Sequence, residues 1–361
     1  MRGAAISQSG CVSPLIRPFG TPSPAKGEGG GALSCPFRRC HPLVSSQPVF
    51  QGLCEGLRPA THRSFDQKGP ALVSSPRLIH GFREIASAYD LIFCDIWGVI
   101  HNGHRVFDGV ADALIAYRRQ GGTVVLVSNA PRPAQSVMPQ LDRLGLPREC
   151  WDAIVTSGDV TRAQIAAVAA KKVFHLGPDR DRPLYDGLGI RFADTPEEAE
   201  VVVCTGLFDD TTETPETYRG MLAGFKARDV PMICANPDLI VDRGGTIIYC
   251  AGALAEAYRA IGGDVAICGK PYKPIYDAAF ETAASLRGKP TSSAQTLAIG
   301  DSVRTDLAGA TAIGCGALFI SGGIHALEAG HEGDGVDPEA LSAFLADKGV
   351  IPDAVMPRLI W

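Results

Sequence analysis

The chain has no run of 18 or more apolar residues, so no membrane-spanning helix is expected. It has no C-x-x-C pair, and its 11 cysteines are odd in number and scattered. Cys94, Cys204, Cys234, Cys250 and Cys268 lie in apolar, strand-like runs, where a free thiol behaves as a small hydrophobe. That argues for a reducing compartment and against a disulfide framework. An excess of positive charge is also missing. With 34 Lys and Arg against 39 Asp and Glu, the formal charge is -5, a poor match to a general nucleic-acid surface. There is no internal repeat and no heptad run, which sets aside solenoids and coiled coils. No 7–15-residue apolar core precedes a small-residue cleavage site near the N-terminus, so a secretory signal is not expected.

Residues 1–70 are a different material from the rest. They hold eight Lys/Arg and three acids, which leaves the remainder strongly acidic. Stretches such as Thr21-Pro22-Ser23-Pro24 and Gly29-Gly30-Gly31 carry no period of 2 or 3.6. A disordered tail, translated sequence upstream of a misassigned start, and an organellar transit peptide all fit. The body is accordingly expected in the cytoplasm, or in an organelle if the segment is a transit peptide. The Cys35–Cys40–His41 cluster matches no standard zinc spacing.

From residue 79 short β-branched runs alternate with amphipathic stretches. Strands are predicted at 91–94, 123–127, 153–156, 173–176, 201–205, 232–235, 246–250, 265–268, 296–299 and 317–320, and helices at 110–119, 134–144, 274–284 and 307–313. This alternation predicts an α/β fold with a parallel sheet covered on both faces. Ten strands are too many for one compact domain of this type, so an inserted second unit is expected.

Four strand ends carry candidate chemistry. Leu91-Ile92-Phe93-Cys94 runs into Asp95, followed by Trp97-Gly98-Val99. Val127 leads to Ser128-Asn129, and Gly269-Lys270-Pro271 follows another apolar run. Ile299-Gly300 leads to Asp301 and Asp306, five residues apart. Each alone has an ordinary structural reading as a cap or tight turn. Their recurrence in order, each at a strand's carboxyl end, points to a ligand site. A carboxylate such as Asp95 can attack phosphorus to form an aspartyl-phosphate. Attack by an anion on an anion needs cations and donors nearby. Lys270 offers fixed positive charge and Ser128 a hydrogen bond. Asp95, Asp301 and the main-chain carbonyl of Trp97 offer the oxygen ligands that magnesium prefers.

These four clusters resemble the motifs of the haloacid dehalogenase superfamily of aspartate-nucleophile phosphohydrolases. The long interval from Ser128 to Lys270 is similar to the class IIA subgroup with an inserted α/β cap, which includes p-nitrophenylphosphatases. Ala235-Asn236-Pro237-Asp238 and Gly252-Ala253-Leu254 also resemble that cap. The resemblance covers roughly residues 88–325. It implies a Rossmann-like core at 79–165 and 265–361, a cap at 166–264, and an N-terminal extension at 1–78. It further implies that Asp95 is the nucleophile, that Ser128 binds the phosphoryl group, that Lys270 neutralises it and that Asp301 ligates Mg2+. Asp306 would support the site, and Asn129, Arg132 and Asn236 would face a small phosphorylated metabolite. Neither nucleic acid nor membrane is an expected partner, and homo-oligomerisation is left open.

One residue departs from that pattern. The family's second aspartate, a general acid and base, is here Trp97, whose indole N–H is a donor without a useful pKa. Since such catalysis typically contributes 10²–10⁴-fold, acyl and aryl phosphates should suffer less than alkyl ones. His101 and His104 are candidates to replace the acid. An aromatic at this position also resembles the haloalkanoate-cleaving branch, but the Gly-Asp-x-x-x-x-Asp motif at 300–306 and the long interval fit a phosphatase better. A catalytically impaired phosphometabolite-binding protein is the alternative, opposed by the joint presence of Asp95, Lys270 and Asp301. Asn236 and Asp238 read equally as cleft residues or as a turn. Arg243, in Asp242-Arg243-Gly244-Gly245, reads as a solvated loop arginine, with an anion contact as the alternative.

Overall fold

A computed structural model describes residues 77–361 apart from Asp334. The basic segment 1–70 and the Cys35–Cys40–His41 cluster lie outside the described residues. In chain order the strands are β1 (Leu91–Cys94), β2 (Thr123–Ser128), β3 (Ala153–Thr156), β4 (Lys172–Leu176), β5 (Arg191–Phe192), β6 (Val201–Cys204) and β7 (Met232–Cys234). There follow β8 (Ile240–Arg243), β9 (Thr246–Tyr249), β10 (Val265–Ile267), β11 (Thr296–Gly300), β12 (Gly316–Ile320), β13 (His331–Glu332), β14 (Gly335–Val336) and β15 (Ala354–Met356). The α-helices are α1 (Val110–Arg119), α2 (Ala134–Arg143), α3 (Ser157–Ala167), α4 (Arg219–Ala227), α5 (Ala251–Ala260), α6 (Lys273–Arg287), α7 (Ala308–Ile313) and α8 (Pro338–Lys348).

The larger sheet has the order β15-β12-β11-β1-β2-β3 and is parallel throughout. Its central strand is apolar at every position because both faces are covered. Ile92 and Cys94 face a cluster with Val110, Leu114 and Tyr117 of α1, whereas Leu91 and Phe93 face Ile275, Tyr276 and Ala279 of α6. Cys94 lies opposite both Leu126 and Ile299. The chain therefore emerges from three adjacent strands at one edge, and Asp95, Ser128 and Asp301 emerge with it.

The smaller sheet, β10-β7-β6-β4-β5, is also parallel. Val202, Cys204 and Met232 pack against Leu222 and Phe225 of α4 and Leu254 and Tyr258 of α5. Val201, Val203 and Ile233 pack against Ile165 of α3 with Leu184 and Tyr185. The strand at 265–267, assigned from sequence to the second part of the core, belongs to this smaller sheet. The chain leaves β7, runs through the β8–β9 hairpin and α5, and returns alongside β7. The change of sheet thus falls after residue 267 rather than at 264/265. Sequence anticipated the run at 246–250 as a strand, and it forms the second half of an antiparallel hairpin with β8. No helix among the described residues is long and apolar enough to cross a membrane.

Candidate active site

The carboxyl edge of the larger sheet gathers the residues singled out by sequence. Lys270 is their centre and is almost fully buried, donating to Asp95 Oδ1 at 2.5 Å and to Asp306 Oδ1 at 2.7 Å. Burial works against its charge, yet Asp306 and Asp95 hold the Lys270 pKa well above the ordinary lysine value. Burial first, with repulsion from Asp306, pushes Asp95 up to about 7 against the pull of Lys270. Asp301 is also pushed up, by burial and then by Asp95 and Asp306. Oxygen atoms of Asp95, Asp301 and Asp306 lie within 4.8 Å of one another.

Local backbone features aim these side chains. After β11 the chain makes a wide π-type turn over Val303–Leu307, in which Leu307 N–H donates back to the Ser302 carbonyl at 3.2 Å. Asp306 Oδ2 accepts from Ser302 N–H at 3.1 Å, which turns its other oxygen toward Lys270. Asp301 Oδ2 accepts from Ile324 N–H at 2.7 Å. Asn129 joins the second and third motifs: its Oδ1 accepts from Lys270 N–H at 2.7 Å and its Nδ2 donates to Asp238 Oδ1 at 2.8 Å. Ser128 is buried, and its Oγ accepts from Ala130 N–H at 3.2 Å.

Beyond this edge a cavity of about 380 Å³ opens between the larger sheet's loops and the smaller sheet. Ser128, Asn129, Arg132, Asn236 and Asp238 line it. Asn236 Oδ1 accepts from Asp238 N–H at 3.0 Å, so the pair is a turn and part of the cleft at once. Arg132 faces Asp181 at 3.4 Å and donates to Gln140. Arg243 is not a solvated loop residue. It ends β8, meets Asp210 through two hydrogen bonds of 3.0 and 3.2 Å, and lies over the Trp97 ring with Cζ 6.0 Å from the centroid. Hairpin pairing and that face contact hold it in the cavity wall.

Trp97 points at the smaller lobe. Its Nε1–H donates to the Asp242 carbonyl at 2.6 Å. His101 is 1% exposed, and its ring meets Trp97 edge-on at 5.1 Å. Its Nδ1 accepts from Gly103 N–H at 3.0 Å, and burial pushes its pKa down to about 4. His104 lies outside this cluster, against the Gly244 turn. Sequence gave no sign of Arg180, Asp181 and Asp210. They reach the cavity only because the smaller sheet folds over the larger one's edge.

Three carboxylates and a buried lysine at one edge of a parallel sheet, beside a second, smaller parallel sheet, define an α/β protein of two sheets with an oxygen-rich polar site at its core sheet's carboxyl edge. Comparison with known proteins narrows this. A haloacid dehalogenase-like hydrolase profile matches residues 92–191, and a HAD-hydrolase-like profile matches 267–347. A haloacid dehalogenase-like hydrolase of Brucella suis is 43% identical, with a TM-score of 0.71 over 78% of this chain and 100% of that one. The D-glycerol 3-phosphate phosphatase of Mycobacterium tuberculosis is 26% identical over 67% of this chain and 66% of its own length. The sugar-phosphatase AraL of Bacillus subtilis is 28% identical over 60% of this chain and 77% of its own length. The chain belongs to the haloacid dehalogenase-like hydrolase family.

Proposed function

We propose that the protein is a magnesium-dependent phosphohydrolase that acts on a small phosphorylated metabolite through an aspartyl-phosphate on Asp95. The observation that carries this reading is the buried pairing of Lys270 with Asp95 and Asp306 beside Asp301. In it, one cation faces three carboxylates. That donor set is all oxygen and over-supplied with negative charge, which fits a hard divalent cation. Asp95, Asp301 and the Trp97 carbonyl would hold it, with Asp306 in support. When bound, magnesium supplies positive charge for the phosphoryl oxygens.

Lys270 occupies Asp95 Oδ1, and among the described residues no hydrogen bond engages Oδ2, which is left to attack phosphorus. The P–O bond to the leaving group breaks as the new P–O bond to Asp95 forms, and the leaving oxygen departs with its electron pair. Ser128 Oγ and the loop amides after β2 receive the phosphoryl oxygens, and Lys270 offsets their charge. Water then attacks the phosphorus, releasing phosphate and the Asp95 carboxylate. No carboxylic acid at position 97 serves either step, so leaving-group acidity governs the first. His101 fits a structural prop, since its Nδ1 is taken by Gly103 and its ring buttresses Trp97. In this reading residues 79–165 and those after β10 form the core, with the cap between them.

The test is phosphate release from p-nitrophenyl phosphate, acetyl phosphate and sugar phosphates, with magnesium or EDTA. Magnesium-dependent release that Asp95→Asn lowers by at least about 10³-fold is expected. Acetyl and aryl phosphates should outrank sugar phosphates. No release from the parent protein, with release gained in Trp97→Asp, would assign a phosphometabolite-binding role instead.

A further inference from the structure

The inner end of the cavity is lined by Trp97, Ser128 and Asn129, which adjoin the carboxylate cluster: Asn129 Oδ1 accepts from Lys270 N–H, and Trp97 stands two residues after Asp95. In its outer wall, Asp210 is shared by two guanidiniums: Arg180 approaches its Oδ2 at 2.5 Å and Arg243 binds it through both terminal nitrogens. Asp210 is nearly buried, while Arg243 stays partly exposed to the cavity. Asp210 thus answers two guanidiniums with one carboxylate, whereas Asp238, another carboxylate of the lining, is bound to Asn129 and faces the Lys270 side instead. Across the cavity Arg132 and Asp181 balance one to one. Arg143, at the rim, has no ion pair among the described residues. Only two of Arg243's five N–H donors are engaged by Asp210.

Trp97 explains why Arg243 sits there. The indole N–H holds the carbonyl of Asp242, the residue immediately before Arg243. The indole face lies under the guanidinium, a favourable cation–π placement. Gly103 leaves room for the ring, since a Cβ there would fall 2.7 Å from Trp97 Cη2. The side chain in the place of the usual acid is thus built into the cap wall from below.

We propose that Arg243, positioned by Trp97 and Asp210, is a specificity residue for a second anionic group on the leaving-group side of the substrate. The ligand class is a phosphomonoester that also carries a carboxylate or a second phosphate. This rests on the phosphohydrolase reading, because a phosphoryl group seated at Asp95 directs the remainder of the molecule into the outer cavity. Arg forms paired hydrogen bonds with either anion, and a site built for such a group discriminates strongly against an analogue lacking it.

The experiment compares matched compounds on the full chain with magnesium. These are 3-phosphoglycerate against glycerol 3-phosphate, and fructose 1,6-bisphosphate against fructose 6-phosphate. The anion-bearing member of at least one pair should have the higher kcat/KM by about ten-fold or more, and the pair that shows it identifies carboxylate or phosphate. Arg243→Gln should erase that ratio, Arg243→Lys should keep part of it, and Trp97→Phe, which loses the N–H, should reduce it. Circular dichroism establishes that each variant is folded. Binding of unreactive phosphonate analogues of the same pairs to the parent protein and Arg243→Gln gives the ratio without turnover. Discrimination in binding with no phosphate released from any compound would sink the phosphohydrolase reading and leave the anion site standing. Phosphate release without discrimination, or discrimination that Arg243→Gln leaves intact, would overturn the proposal.

Discussion

Asp301 is held in place by two residues that have no side chain. A Cβ on Gly98 would lie 1.9 Å from Asp301 Oδ2, and one on Gly323 would lie 2.1 Å from the same atom. Gly98 also has a φ of +86°, a conformation that other residues adopt only with strain. The turn after the nucleophile and the fourth motif therefore interlock, and the carboxylate cannot move without moving the Gly98 loop. Gly98→Ala should displace Asp301, lower magnesium-dependent kcat/KM by at least about 100-fold and reduce Tm by several degrees. Initial-rate phosphate release and thermal unfolding by circular dichroism check both halves. Near-normal activity would mean that the loop and Asp301 are not coupled as described.

At the scale of elements, α3 carries the chain from β3 of the core toward the cap, and its start is tightly specified. Thr156 Oγ1 accepts from Asp159 N–H at 3.0 Å, while Asp159 Oδ2 accepts from Thr156 N–H at 3.1 Å, a reciprocal capping box. The fully buried Thr156 hydroxyl donates to the Arg132 carbonyl at 2.7 Å, tying the helix start to the loop after β2. Thr156→Ala should cost about 1–2 kcal/mol, with Thr156→Ser recovering most of it, as read from urea unfolding midpoints. An effect under a few tenths of a kcal/mol would show that the cap is dispensable. Local features of this kind explain what was legible in the sequence. Each motif is an apolar run ending in one polar residue, so Asp95, Ser128, Lys270 and Asp301 could be placed from their own neighbours. Arg243 and Asp210 could not, because what makes them cavity residues is a contact between Trp97 and Asp242, 145 positions apart. The edge strand Val265–Ile267 went to the wrong sheet for a similar reason: three apolar residues fit either sheet, and only the return past β7 decides. β15 is as short and follows Pro352 closely, so no periodicity announces it.

Across the whole molecule, a buried cluster of carboxylates lies beside a cavity whose lining sets Arg132, Arg143, Arg180 and Arg243 against Asp181, Asp210 and Asp238, although the chain is net negative. The three carboxylates of the buried cluster, Asp95, Asp301 and Asp306, repel one another, with one lysine to balance them. An arrangement of that kind is destabilising on its own and becomes favourable when a cation joins it. Any ligand that binds only the folded state stabilises it by RT ln(1 + [L]/Kd), about 2.7 kcal/mol at 100-fold excess over Kd. For a folded body of this size, with an unfolding entropy of about 2.1 cal/mol/K per residue, that corresponds to a rise in Tm of roughly 4–5 °C. Magnesium should therefore raise Tm by that order, and EDTA should reverse it. Asp301→Asn should abolish the rise because a ligand charge is gone. Without magnesium, the same variant should unfold at the parent's Tm or above it. The amide oxygen can still accept from Ile324 N–H, and one repulsive charge has been removed. Differential scanning calorimetry on both proteins, with magnesium and with EDTA, reads all four values. If Asp301→Asn instead lowers the magnesium-free Tm and magnesium shifts neither protein, the carboxylates are held by Lys270 as a structural network, and the metal assignment falls with them.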